Sequence, residues 1–124
     1  MKNSTGTKLH NLRIAKREWF GFIPVNSEGK RDEIQIIAYG GTHHVDIDPA
    51  HLFYEILRVR PQGIYLIHNH PSDDVRPSLS DRILTSRSEA LTREFNIKFH
   101  GHYIVGPTKI IVFRNAFEEV LGDW

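Results

Sequence analysis

The stretch Ile64-Tyr65-Leu66-Ile67-His68-Asn69-His70-Pro71 sets both the fold and the chemistry of this chain. Its first four residues are apolar without alternation, the pattern of a short central strand covered on both faces. That strand delivers the chain directly to His68. Successive side chains of a strand alternate, so His68 and His70 project from the same face and their imidazoles can converge on one cation. Histidine at this spacing is also common on ordinary surfaces, so the pair needs support from elsewhere in the chain.

Downstream, residues 71–77 are polar and hold two prolines, which predicts a loop. Ser78 then reads as a helix N-cap, and Leu79, Ile83, Leu84, Ala90, Leu91 and Phe95 supply the apolar stripe of a helix ending near Asn96. Residues 97–105 and 109–113 read as strands about a turn at 106–108, and residues 115–121 as a short terminal helix. Upstream, Asp48-Pro49 is a helix-start signal. Leu52, Phe53, Ile56, Leu57 and Val59 recur at helical spacing until Pro61 and Gly63 interrupt the pattern. Residues 18–25 and 33–39 read as two strands joined by the turn 26–29, the second ended by Gly40-Gly41. Residues 1–16 read as a tail or irregular lead-in, and residues 17–124 as one domain. Strands interleaved with helices predict an α/β fold, a sheet with helices on its faces.

The composition narrows the chemistry. A 124-residue chain with 40% hydrophobic and 25% charged residues suits a single ordinary globular domain. Sixteen Lys and Arg nearly cancel fifteen Asp and Glu, which disfavours a phosphate-dominated nucleic-acid partner. With no cysteine, a disulfide framework, a thiolate zinc site, a cysteine nucleophile and deaminase zinc chemistry are all excluded. No segment approaches the length of a membrane span, and the expected location is cytoplasmic. Any metal must be held by His, Asp or Glu, and eight histidines are present.

Ser78-Leu79-Ser80-Asp81 supplies the missing support. A capping Ser78 places Asp81 in the first turn of its helix, facing back toward the histidines, although serine followed three residues later by an acid is also ordinary capping. Together with the histidines it gives two nitrogen ligands and one oxygen ligand for a single zinc ion, leaving a fourth tetrahedral position for water. Hydrolysis by activated water also needs a group that moves its proton. Glu18, at the head of an apolar strand, is the candidate, against the alternative of an exposed strand terminus. Ser78 can add a hydroxyl donor for a developing oxyanion. His43 and His44 point to opposite faces of an extended chain and read as surface residues. The triplet His-Asn-His is contiguous, unlike the dispersed residues of the nuclease motif with that name.

On these residues the sequence resembles the JAB/MPN metalloproteases that carry the JAMM motif, in their bacterial RadC-like branch. The signature His-x-His-Pro, loop, Ser-x-x-Asp stands here as His68-Asn69-His70-Pro71 through Ser78-Leu79-Ser80-Asp81, and Arg17-Glu18-Trp19-Phe20 matches the context of the family's upstream base. The segment His102-Tyr103-Ile104-Val105-Gly106 is similar to a later family segment, and the likeness spans roughly residues 17–114. It implies a JAB/MPN-like mixed sheet flanked by helices, zinc ligands at His68, His70 and Asp81, a general base at Glu18, and an oxyanion helper at Ser78. It also implies peptidase or isopeptidase activity on a protein or peptide, such as a ubiquitin-like modifier conjugate. Three positions depart from the branch: Asp73 and Gly40 stand where it has Gly and often Glu, and Gly101 stands where it has Asp. Loss of that acid leaves His102 outside the expected site. Competing readings are a non-catalytic scaffold module, as in relatives that have lost ligands, and a DNA-repair or mobile-element accessory role.

Overall fold

The computed structural model describes residues 4–40, 46–115, 117–122 and 124. Six strands form one mixed sheet in the order β2-β1-β3-β4-β5-β6. They are β1 (Trp19–Val25), β2 (Gln35–Tyr39), β3 (Gly63–Asn69), β4 (Lys98–Val105), β5 (Ile110–Arg114) and β6 (Phe117–Leu121). β3 pairs parallel with β4, and every other neighbouring pair is antiparallel. A parallel pair requires a long crossover, which here carries helix α3 (Leu79–Glu94). β1 and β3 lie inside the sheet with almost every residue buried, as the unbroken apolar run at 64–67 predicts.

The period of two sorts the core onto two faces. On one, Phe20, Phe22, Ile64, Leu66 and Phe99 pack against Leu52, Phe53 and Ile56 of α2 (Pro49–Val59). That helix begins as read from the sequence: Asp48 accepts the Ala50 amide and Pro49 opens the first turn, and Arg60 ends it in the left-handed region at φ 53°. On the opposite face, Trp19, Ile23, Ile67, Tyr103 and Val105 pack around Leu9 of a further helix, α1 (Ser4–Arg13). The result is a single α/β unit with helices on both faces.

Three expectations are corrected. Residues 4–13 are helical, where an irregular lead-in was expected. Leu9 is buried and Leu12 packs beside it, while the Leu12 carbonyl accepts the Trp19 indole N–H at 2.9 Å. Docking of these few residues, rather than a strong amphipathic pattern, holds the helix. Residues 117–121 form an edge strand paired with β5, where a terminal helix was expected. Phe117, Val120 and Leu121 have helical spacing, but Asn115 adopts φ 55° and the following strand completes the ladder with β5. The third correction concerns α3. Its buried side chains are Thr85, Ser88, Glu89 and Thr92, while the apolar Leu79 is 74% and Ile83 48% exposed, with Leu91 and Phe95 also outside. Positions 85, 88, 89 and 92 make a helical stripe in which Thr85 meets His102 and Glu89 meets Arg114 on the sheet, Thr92 Oγ1 donates to the Glu89 carbonyl, and Ser88 Oγ is buried without a hydrogen-bond partner among the described residues. His43, His44 and Gly41 lie outside the described residues.

Candidate metal centre

Glu18 leads into β1, with the parity of Phe20 and Phe22, and His68 on β3 has the parity of Leu66. The register pairs Phe20 with His68, so the same face carries Glu18 and His68. His70 continues that parity one step beyond β3. Its backbone is still guided by the sheet, since its N–H donates to the Val105 carbonyl at 2.9 Å. From α3, Asp81 enters as the third residue of a reciprocal cap: Ser78 Oγ accepts the Asp81 amide at 3.0 Å and Asp81 Oδ2 accepts the Ser78 amide at 2.8 Å. Capping and site construction are therefore one arrangement, not alternatives.

These residues meet. His68 Nε2 lies 2.9 Å from His70 Nε2, 3.3 Å from Asp81 Oδ1, and His70 Nε2 lies 3.5 Å from Asp81 Oδ2. His68, His70 and Asp81 form a group that could hold a metal ion. One ligand atom from each of the three residues lies within 4.8 Å of the others, a spacing that one ion can span.

The donor set fits a cation on chemical grounds as well. His70 Nδ1 faces the Asp74 carbonyl at 2.6 Å, and a carbonyl only accepts, so Nδ1 carries the proton and Nε2 of the neutral ring is a bare lone pair. His68 Nδ1 is likewise occupied, at 2.8 Å from His102 Nε2. Two ring nitrogens and a carboxylate crowd one point, and a proton or a metal between them relieves that. Without metal the proton goes to His70: burial opposes it, but the hydrogen bond to Asp81 and the Asp74 carbonyl outweigh burial and raise its pKa. His68 goes the other way, pushed down by burial to about 4 despite the pull of Asp81. Burial works to raise Asp81, yet its bond to His70, the charge of His68 and the Ser78 amide bring its pKa well below the carboxylate range.

Glu18, 9% exposed, lines the same cleft as His68, His70, Ser78 and Asp81, a space of about 810 Å³. Its charge contributes to raising His70. Its backbone is gripped from both sides. Where the β1–β3 ladder ends, the buried Asn69 side chain takes over: Oδ1 accepts the Trp19 amide at 2.8 Å and Nδ2 donates to the Arg17 carbonyl at 3.0 Å. The Glu18 carbonyl accepts the Gly40 amide at 2.8 Å. The middle residue of His-Asn-His thus fixes the two peptides that flank Glu18.

Two departures from the family pattern have physical explanations. Asp73 adopts φ 68°, a conformation that suits glycine but that aspartate tolerates, and its carboxylate accepts the Thr108 and Lys109 amides and the Thr108 hydroxyl. It clasps the site loop to the β4–β5 turn, where a side chain at Gly106 would collide with it. Gly101 has φ 143° at a β3–β4 register shift, and a Cβ there would stand 3.1 Å from Val112. Sequence reasoning missed His102. It is fully buried, stacked on Phe113 at 4.9 Å and in contact with His68, and burial holds its pKa well below the ordinary histidine value. Its signal was parity: His102 lies opposite Leu66 in the parallel register, on the face that carries His68.

Known proteins bear on this geometry. The family profile described as the RadC-like JAB domain matches residues 3–118. A UPF0758 protein of Carboxydothermus hydrogenoformans is 30% identical over 99 residues, covering 80% of this chain and 44% of the relative. One from Desulforudis audaxviator is 28% identical over 108 residues, covering 87% and 47%. The chain thus spans under half the length of these curated relatives. With the match covering nearly the whole chain and the six-stranded α/β architecture, the chain belongs to the RadC-like JAB domain family.

Proposed function

We propose that this chain is a zinc-dependent hydrolase of peptide or isopeptide bonds, acting on a protein or peptide such as a ubiquitin-like modifier conjugate. The observation that carries this reading is the convergence of two imidazole nitrogens and the Asp81 carboxylate in a cleft that Glu18 also lines. Two nitrogens and one oxygen are the donor set of an open zinc site, one that retains a position for water or substrate. Zinc held there supplies a Lewis acid that makes water nucleophilic at neutral pH. Glu18 takes up the proton that water loses and returns it to the leaving nitrogen. Ser78 Oγ spends a lone pair on the Asp81 amide, and its hydroxyl proton remains for the oxygen of the tetrahedral intermediate. Ile47, Pro49, Ile83 and Leu84 give the cleft an apolar wall for a substrate side chain. Among the described residues no helix is long and apolar enough to cross a membrane.

Metal analysis of protein purified without chelator, with His68→Ala as control, tests the first half of the reading. One equivalent of zinc in the parent and none in the variant is expected, and a metal-free parent points instead to the scaffold module. Glu18→Gln tests the second half. It keeps its zinc and loses peptide hydrolysis by roughly 100-fold or more. A variant that cleaves as fast as the parent overturns the assignment of the base.

A further inference from the structure

A chain of hydrogen bonds runs from α3 through the sheet face to His68, and its direction is fixed at one end. Thr85 Oγ1 lies 2.8 Å from the Asp81 carbonyl, which can only accept, so the single hydroxyl proton is spent there. The same oxygen lies 2.8 Å from His102 Nδ1 and must accept, which puts a proton on Nδ1. A neutral His102 then has a bare Nε2, and this atom, 2.8 Å from His68 Nδ1, accepts the His68 proton. His68 Nε2 is left as a lone pair directed at His70 and Asp81. The two links through His102 are buried, with His68, His102 and Thr85 3%, 0% and 2% exposed, so water does not compete for them, and the Thr85–Asp81 link is partly buried. The rings cannot readily turn away, because His102 is stacked on Phe113 and set edge-on to Phe20, while His68 is stacked on Phe20.

We propose that Thr85 and His102 are positioning residues that hold His68 in its Nδ1–H tautomer, so that Nε2 is presented unprotonated to a divalent cation. The proposal rests on the metal-centre reading above, and it accounts for two features that reading leaves unexplained. A polar residue occupies the buried stripe of α3 opposite the site, and a histidine stands on β4 without an acidic neighbour. Thr85 also returns its proton to the carbonyl of Asp81, so α3 delivers the ligand and the anchor of the tautomer relay within one helical turn. Partners of this kind, bound to the far nitrogen of a ligating histidine, set its tautomer and ring orientation.

The test is long-range proton–nitrogen NMR of histidine-labelled protein, with and without zinc, joined to zinc affinity measured by competition with a chelator. In the parent, both His68 and His102 carry Nδ1–H before zinc is added. Thr85→Val removes the acceptor while nearly keeping the shape. His102 is then expected to move its proton to Nε2, His68 is driven to Nε2–H, and zinc affinity falls roughly 10- to 100-fold. Thr85→Ser restores both tautomers and the affinity. Thr85→Ala carries the same expectation as the valine variant and serves if valine prevents folding. Parent tautomers and parent affinity in a folded Thr85→Val or Thr85→Ala protein overturn the proposal. A parent that shows the tautomers but binds no zinc overturns the metal reading while leaving the relay in place, so the two failures are distinguishable.

Discussion

Asn69→Leu is the most informative single substitution outside the candidate metal ligands. Leucine has the same branched heavy-atom skeleton as asparagine, with bulkier methyl ends, but leaves the Trp19 N–H and the Arg17 carbonyl without the partners now at 2.8 and 3.0 Å. The Trp19 bond is buried and the Arg17 bond partly so. An orphaned buried backbone group costs about 1–3 kcal/mol and a partly hydrated one less, so the expected loss is roughly 2–4 kcal/mol. Against a total stability of about 5–15 kcal/mol for a domain, that is a large share. In urea denaturation the midpoint should fall with an unchanged slope, since the surface exposed on unfolding is the same. Hydrolysis should fall further than stability explains, because the two peptides flanking Glu18 are released while His68, His70 and Asp81 keep their own supports. Zinc stoichiometry should therefore stay at one. If Asn69→Leu unfolds within about 0.5 kcal/mol of the parent, the side chain is not what ends the β1–β3 pairing, and the account of Glu18 positioning fails.

Metal-free protein should lose stability as pH falls from about 6.5 to about 4, because the unfolded chain takes up a proton on His68 that the buried folded ring, shifted to about 4, does not. That difference corresponds to about 3 kcal/mol, and His102 adds to it with the same sign. The raised His70 acts oppositely: its stabilising proton is fully present below about 6.5 and is lost as pH climbs through its folded pKa, so stability should peak near pH 6.5. Thermal melts across pH with chelator check this, and a flat profile between pH 4 and 6.5 would contradict buried neutral histidines. Gly101→Ala should destabilise by roughly 1–3 kcal/mol, since φ 143° is a glycine conformation and the new Cβ meets Val112. Unfolding midpoints measure it.

The legible parts of the fold were those where local chemistry and tertiary demand agree. Asp48-Pro49 starts α2 and the apolar run at 64–67 lies in the interior of the sheet, because capping and two-sided burial leave direct marks on residue type. The illegible parts were decided by partners distant in sequence. Phe117–Leu121 is a strand because β5 offers an open edge, a fact that no pattern within those five residues contains. Residues 4–13 form a helix because Leu9 finds the far face of the sheet. In α3 the apolar residues suggest the inner face, yet the polar stripe from Thr85 to Thr92 is buried, and within it Thr85 and Glu89 are the partners of His102 and Arg114 on the strands below.

The site follows the same division. His68 and His70 share a face by the period of a strand, and Asp81 is fixed by its cap to the start of α3, so the three donors could be read from spacing before their meeting was seen. What spacing could not supply is the protonation pattern that makes them donors. That pattern is imposed from three directions: the Asp74 carbonyl on His70, the Ser78 amide on Asp81, and His102 on His68. The first two are local in sequence, but only the second, an ordinary cap, was visible in advance. The third crosses 34 residues and depends on the parallel register of β3 and β4, with the shift at Gly101. Glycine at 101, where the branch has an acid, therefore need not weaken His102. The ring's partner is the hydroxyl of Thr85 on the helix above, not a neighbour on its own strand, and the glycine permits the backbone conformation from which His102 reaches it.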